Sequence, residues 1–242
     1  MLGASTMSRL AKQIFIALIF ISIISLLSVA GFYIFRDKNS GVVVPEKPKL
    51  DNLSLIKIKA VKTGDNNYDL IARIRNPNPN YGAKSFSYSF VFVNESGESI
   101  EVFDSQSYIL PLETKYVIIP NAQPKEPGSE LKFKINNIEW AELSGNLPSL
   151  PIFEKDPKFG QLDDGQEFAS FKGAVLNKGL LSHKEVDVVL VVFDEADEIV
   201  TINFTKLAGV AAGEKMPFTL IWSEPFEGKP IKFDVQAYAN PF

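Results

Sequence analysis

From residue 51 onward, apolar and polar residues alternate in short runs. Ile56, Ile58 and Ala60 alternate with Lys57 and Lys59, and Phe86, Tyr88, Phe90 and Phe92 with Ser85, Ser87 and Ser89. Leu131, Phe133 and Ile135 alternate with Lys132 and Lys134. Ile231, Phe233, Val235 and Ala237 do so with Lys232, Asp234 and Gln236. A period of two places the apolar side chains on one face, the pattern of antiparallel sheets packed face to face. Turn-forming residues separate the runs: Gly64-Asp65-Asn66-Asn67, Asn76-Pro77-Asn78-Pro79-Asn80, Asn94-Glu95-Ser96-Gly97 and Glu227-Gly228-Lys229-Pro230. No stretch after residue 36 keeps a 3.6-residue period over three turns. The expected fold is all-β.

Before residue 36 the pattern is different. Ile14–Phe35 is uncharged throughout, and at about 1.5 Å per residue it reaches about 33 Å as a helix, the thickness of a bilayer core. Phe32 and Tyr33 stand near its outer end, where aromatic rings favour the headgroup boundary. Ser22, Ser25 and Ser28 can bond back to helix carbonyls. We expect a cytoplasmic head (1–13), a transmembrane helix (14–35) and an extended polar stalk (36–50) carrying Pro45 and Pro48. A short basic head with Arg9 and Lys12, followed by a long folded remainder, favours export of the remainder. A cleaved leader is the alternative, because Ser28 and Ala30 are small residues at peptidase-read positions. The apolar run continues past them to Phe35.

The remaining residues divide into similar halves. Asn76 and Asn177, Phe92 and Phe193, and Glu113 and Glu214 are each 101 residues apart, which suggests tandem copies of one β unit. The expected division is a first β-sandwich (51–146), a linker (147–160) and a second β-sandwich (161–242). The linker contains three prolines, Pro148, Pro151 and Pro157, that discourage strand pairing. So short a linker favours an end-to-end rod over free beads. On this reading Phe90→Asp and Phe193→Asp each unfold their own domain separately.

In the second half, Gly173-Ala174-Val175-Leu176-Asn177-Lys178-Gly179, then Leu190-Val191-Val192-Phe193-Asp194 and Ala212-Gly213-Glu214, resemble the FxLYD-type domains of prokaryotic envelope proteins. The motif falls on Leu190, Val192, Phe193 and Asp194, with only the Asp identical. In the first half Arg75-Asn76-Pro77-Asn78-Pro79 resembles the related water-stress (late-embryogenesis) β-sandwich domains. There the motif matches Phe90, Phe92, Val93 and Asn94, one residue out of step with the 101 spacing. The resemblance implies immunoglobulin-like antiparallel sandwiches without enzymatic activity, and it offers no catalytic residues to carry over.

Charge and composition narrow the chemistry. Of 25 basic and 29 acidic residues, only Arg9 and Lys12 precede residue 36, so the rest is net acidic. That argues against nucleic acid as a partner. With no cysteine, disulfides, thiolate metal sites and a Cys nucleophile are excluded. The single histidine, His183, is expected in a loop as a solvated imidazole, and no G-x-S-x-G nucleophile turn accompanies it. No phosphate-cradling glycine motif is present. Asp194, Glu195, Asp197 and Glu198 are expected as a solvated hairpin tip, with Asp163 and Asp164 just past the linker. Neither cluster matches a calcium loop. Arg73 and Arg75 share a strand face opposite Leu70, Ala72 and Ile74 and could read a carboxylate on a partner. Trp140 and Trp222 are expected in cores. The N-x-[ST] triplets at Asn52, Asn94 and Asn203 matter only in a host that glycosylates.

The sequence therefore predicts no catalytic, cofactor or metal site. It predicts a non-catalytic, single-pass membrane protein of the cell envelope acting as a spacer or protein-interaction module, with another envelope protein as its partner. The alternative is a ligand- or polysaccharide-binding module that would gather Tyr81, Tyr108, Tyr116 and Tyr238 on one exposed face.

Overall fold

The computed structural model describes residues 8–36, 48–125, 130–143, 145, 147–159, 169–222, 226 and 228–242. These fall into two units divided between Lys49 and Leu50. The first is a single helix, α1 (Arg9–Arg36), whose span Arg9–Phe32 is long and apolar enough to cross a membrane. Ser8 Oγ accepts a bond from the Ala11 amide and caps its start. Ser28 Oγ donates to the Ile24 carbonyl at 2.9 Å, as a hydroxyl inside an apolar helix must. Leu18, Phe20, Leu26 and Phe32 point outward on all sides. The helix thus lacks the polar face that a helix of a soluble core would keep. A cleaved leader has the same length and composition. Most of the expected stalk lies outside the described residues.

The second unit is built of twelve strands. The first six are β1 (Ser54–Gly64), β2 (Asn67–Arg75), β3 (Tyr81–Val93), β4 (Ser99–Ile109), β5 (Thr114–Ala122) and β6 (Glu130–Glu142). The second six are β7 (Ile152–Phe159), β8 (Ala169–Leu176), β9 (His183–Phe193), β10 (Ile199–Val210), β11 (Lys215–Trp222) and β12 (Lys232–Tyr238). Each set folds the same way. One sheet is ordered β1-β2-β5 and the other β4-β3-β6, and the second half repeats this as β7-β8-β11 and β10-β9-β12. Every pairing is antiparallel. The fold is therefore all-β: two antiparallel sandwiches and one N-terminal apolar helix.

Two cores follow from the alternation. Leu70, Ala72 and Ile74 of β2 meet Phe86, Tyr88, Phe90 and Phe92 of β3 in the first sandwich. Phe171 and Val175 of β8 meet Val186, Val188, Leu190 and Val192 of β9 in the second. The predicted strands carry the predicted faces, except that Ile56 and Ile231, expected on core faces, are exposed and Ile231 precedes β12. Trp140 packs against the first core and Trp222 sits in the second, where its Nε1 donates to Thr201 Oγ1 at 3.0 Å.

A third core joins the sandwiches. Val61, Ile71 and Tyr116, from the β1-β2-β5 sheet, pack on Val189, Val191, Phe193, Ile202 and Tyr238 from the β10-β9-β12 sheet. The central strand β9 is accordingly buried on both faces, which is why its sequence runs Val188-Val189-Leu190-Val191-Val192-Phe193 without a polar break. An end-to-end rod is not what forms. The two inner sheets are stacked face to face, and the body has four layers.

The sheets cross steeply. Lys57, Arg73 and Tyr116 are cross-strand neighbours, one residue on each strand of the first inner sheet. Their polar partners in the second sandwich are Asp197, Asp234 and Tyr238, which step along the strand direction from the β9–β10 turn to the end of β12. A row across one sheet thus runs along the strands of the other, the orthogonal mode of sheet packing.

Two boundary expectations change. Within the expected linker, Ile152–Phe159 is strand β7, paired with β8. Pro157 is tolerated because β7 is an edge strand that needs no second partner. The Phe92–Phe193 landmark is also incorrect. Val93 pairs with Ser99 as Phe193 pairs with Ile199, so Phe193 corresponds to Val93. Register shifts near the start of β3 change the spacing between the halves from 101 to 100 residues. Because side chains alternate, that one residue sends Phe92 into its own core and Phe193 into the join. Phe193→Asp consequently strikes both sandwiches.

Candidate functional site at the join between the sandwiches

The chain positions the join with two copies of one clasp. Asn76, fully buried, donates from Nδ2 to the carbonyls of Tyr81 and Leu110, while its Oδ1 accepts the Asn78 amide. Asn177 does the same, donating to Leu181 and Val210 and accepting from Gly179. Glu113 and Glu214 then cap the neighbouring turns, each carboxylate accepting an amide three residues back, at Leu110 and Ala211. These bonds satisfy backbone groups that the turns would otherwise leave bare. They also fix the ends of the strands that carry the join.

Across the join, polar groups are matched in sign. Lys57 Nζ lies 3.0 Å from Glu198 and also donates to the Asp197 carbonyl, and Lys59 stands 3.8 Å from Glu198. Arg73 reaches Asp234 at 3.9 Å and lies over the Tyr116 ring. The Tyr116 hydroxyl donates to Asp234 at 2.9 Å, and the Tyr116 amide donates to the Tyr238 hydroxyl at 3.0 Å. Burial and the adjacent Asp234 carboxylate raise the Tyr116 hydroxyl, and burial also raises that of Tyr238.

Lys115 is the most unusual group. Its side chain is buried, and its Nζ sits 3.2 Å from the Tyr108 ring centre and 4.9 Å from that of Tyr238. A cation of the first sandwich is thus held between one ring from each sandwich. Burial lowers its pKa to about 8, against the opposing attraction of Glu113 and Asp187. Burial raises Glu113, partly offset by Lys115, and raises Tyr108 as well.

Beside the join runs a cleft of about 760 Å³ between β1 and β10. Among the described residues each of these strands is paired on one side only, β1 with β2 and β10 with β9. Its walls carry charges of both signs, including Lys59, Lys62, Asp69 and Glu198, and Trp222 and Phe226 lie at one end. Asp69 is raised by burial and held partly down by the Asn121 amide, which it accepts at 2.9 Å. The cleft is open, polar and edged by backbone.

No family model matches the chain, and no curated protein matches it. Among solved structures it aligns with red sea bream transglutaminase at 11% identity, over 79% of this chain and 30% of that one, with a TM-score of 0.23. The chain therefore spans less than a third of that structure's length. A likeness that low carries no argument about fold or activity.

The residues singled out from sequence fall as follows. Arg73 does face a carboxylate, but one of its own chain, whereas Arg75 stays exposed. The acidic tip is engaged rather than merely solvated. Asp194 caps its own turn by accepting the Ala196 and Glu198 amides, and Asp197 pairs with Lys232 as well as reaching Lys57. Asp163 and Asp164 lie outside the described residues. His183 opens β9 instead of lying in a loop, and its Nε2 is buried with no hydrogen-bond partner among the described residues; desolvation lowers its pKa. Three of the four tyrosines do come together. Tyr108, Tyr116 and Tyr238 are packed inside the join, so they form no exposed platform. Asn203 is bonded to the Ile221 carbonyl and Asn94 holds the β3–β4 turn. Sequence reasoning did not single out Lys115, Asp234 or Val189. The unbroken apolar run in β9, and the shorter ones Leu70-Ile71-Ala72 in β2 and Tyr116-Val117-Ile118-Ile119 in β5, are the signs in the sequence of a second apolar face.

Proposed function

We propose that this is a non-catalytic, membrane-anchored protein whose two-sandwich body stands outside the cytoplasm and presents the β1–β10 cleft to another envelope protein. The observation that carries the reading is the cleft itself. Two strands, each with one side unpaired among the described residues, border a groove whose walls belong to a jointly packed body. An extended segment can complete such an edge with main-chain hydrogen bonds, while the groove walls select its side chains. The helix α1 supports tethering, and tethering raises the local concentration of weak partners. The resemblance to envelope sandwich domains points the same way. The polysaccharide alternative loses much of its support, because Tyr108, Tyr116 and Tyr238, three of its four candidate tyrosines, pack into the join.

The test is photocrosslinking in intact cells with a benzophenone residue at Lys62 or Asn203 in the cleft, and at Lys134 on the opposite outer sheet as control. One discrete protein captured from both cleft positions and not from Lys134 is the expected result. Equal capture at all three positions, or none, overturns the proposal.

A further inference from the structure

The corner where the two sandwiches meet the linker differs in chemistry from the distal hairpin tips. At this corner Leu143 donates its amide to the Asn80 carbonyl and Lys178 donates its amide to the Ser149 carbonyl, so the β2–β3 and β8–β9 loops both converge on the linker. The C-terminus converges there too. A Cβ on Gly82 would lie 2.8 Å from Phe242 Cζ, so the two residues are in close contact. The segment leading into β1 is pinned at the same loop. Asp51 donates its amide to Asn78 Oδ1 and accepts from Asn78 Nδ2, and Leu53 enters the first core. The described residues that lead into β1 thus meet the body at this corner.

Large apolar side chains are left exposed here. Leu180 is 76% exposed and Leu181 66%, at the apex of the β8–β9 loop. Leu112 is 55% exposed, with its backbone in the left-handed region at φ 56°. The equivalent of Leu112 in the second half is Gly213, at φ 76°, which meets the same turn geometry without a side chain to strain it. A leucine at that position is unfavourable both for the backbone and for its exposure to water. Lysines stand beside the leucines: Lys178 and Lys184 flank Leu180 and Leu181, and Lys49 and Arg75 lie at the incoming segment, interspersed with the exposed acids Asp51 and Glu185, while Glu113 and Glu214 are engaged as amide caps. Three distal turns are the reverse: residues 64–67, 94–97 and 194–197 contain Asp65, Glu95, Asp194, Glu195 and Asp197 and no large apolar side chain, although Ile231, bonded to the Phe193 carbonyl at that end, is 52% exposed.

We infer that this corner rests on the membrane, with Leu180 and Leu181 inserted at the headgroup boundary and Lys178 and Lys184 against anionic lipid. Apolar tips ringed by lysines suit that boundary, because the leucines leave water while the ammonium groups stay hydrated beside lipid phosphates. The acidic tips would be repelled from the same surface. A second copy of the chain is disfavoured as occupant, since the lysines beside the leucines would face their own charge. The inference rests on the anchoring part of the proposed function and is independent of what the cleft binds.

The cysteine-free chain allows single-site spin labels. The full protein is reconstituted into vesicles of phosphatidylcholine with phosphatidylglycerol, labelled at Leu181→Cys or at Ser96→Cys on a distal tip. Collision with oxygen is then compared with collision with a water-soluble nickel chelate. The expected result is a several-fold higher oxygen-to-nickel ratio at position 181 than at 96, reduced by Lys178→Glu with Lys184→Glu and by vesicles of phosphatidylcholine alone. If the protein floats with the vesicles but both labels meet nickel equally, this inference is overturned while anchoring stands. If the protein fails to incorporate, both are overturned. Shielding of position 181 from both reagents, with spin–spin broadening lost on dilution by unlabelled chain, assigns the corner to a second copy and overturns the lipid contact.

Discussion

The Tyr238 hydroxyl accepts the backbone amide of Tyr116 at 3.0 Å, although the two residues are 122 positions apart. The same hydroxyl donates to Gln236 Oε1. This one oxygen satisfies a buried donor on the first sandwich from the last strand of the second. Tyr238→Phe keeps the ring and strands that amide, at a cost of about 1–3 kcal/mol. Trp140 and Trp222 report one sandwich each, so single-tryptophan variants measure the effect separately in urea. Both midpoints are expected to fall together.

Lys115 sets an unusual pH dependence. Its folded pKa of about 8 lies below its ordinary 10.5. Between those values the unfolded chain binds the extra proton, so stability rises as pH increases from about 8. Tyr108, Tyr116 and Tyr238 act in the opposite sense. Their folded values are raised, so above pH about 10 the unfolded chain releases protons that the folded one keeps, and stability falls. The urea midpoint should therefore rise from pH 8, pass through a maximum near 10 and then decline. Lys115→Met, which keeps the length and removes the charge, should abolish the rising limb and leave the falling one.

The asparagine clasps are expected to be costly to remove. Asn76→Ala leaves two carbonyls and the Asn78 amide without their side-chain partner at a buried site. A loss of about 3 kcal/mol follows from unsatisfied buried groups. Asn177→Ala should cost a similar amount. Asn76→Asp keeps the acceptor and loses the donors, so it should rescue little. Chemical denaturation of the three variants decides the point.

Leu112→Gly should not destabilise the protein, despite deleting a whole side chain. Relief of the left-handed strain is worth about 1–2 kcal/mol, against about 1 kcal/mol for the added freedom of glycine in the unfolded chain. A thermal midpoint unchanged or slightly higher is expected, and a clear drop would show that Leu112 has a packing role.

The sequence made the sandwiches legible because each sheet has one face in its own core, and alternation such as that of Phe86 to Phe92 records this directly. The join was harder to read. Its residues, Ile71, Tyr116, Val191 and Phe193, sit on faces that alternation assigns to solvent, and only unbroken apolar runs, longest in β9 and shorter in β2 and β5, show otherwise. The 101-residue spacing was sound at Asn76/Asn177 and Glu113/Glu214, where conserved clasp geometry fixes position. It failed at Phe92/Phe193, because a register irregularity leaves no composition signal. Arg73 illustrates the same limit. An outward cation with a carboxylate partner was foreseeable, but the steep crossing that makes the partner Asp234 depends on contacts between distant strands.

The central claim is that the third core makes the two sandwiches one body. Pulsed dipolar spectroscopy tests it directly, with spin labels at Ser96→Cys in the first sandwich and Thr219→Cys in the second, both exposed and in a chain with no other cysteine. A single narrow distance distribution is predicted, broadening when Phe193→Asp disrupts the join. A broad distribution in the otherwise unaltered protein would show that the sandwiches move independently, and would contradict the account.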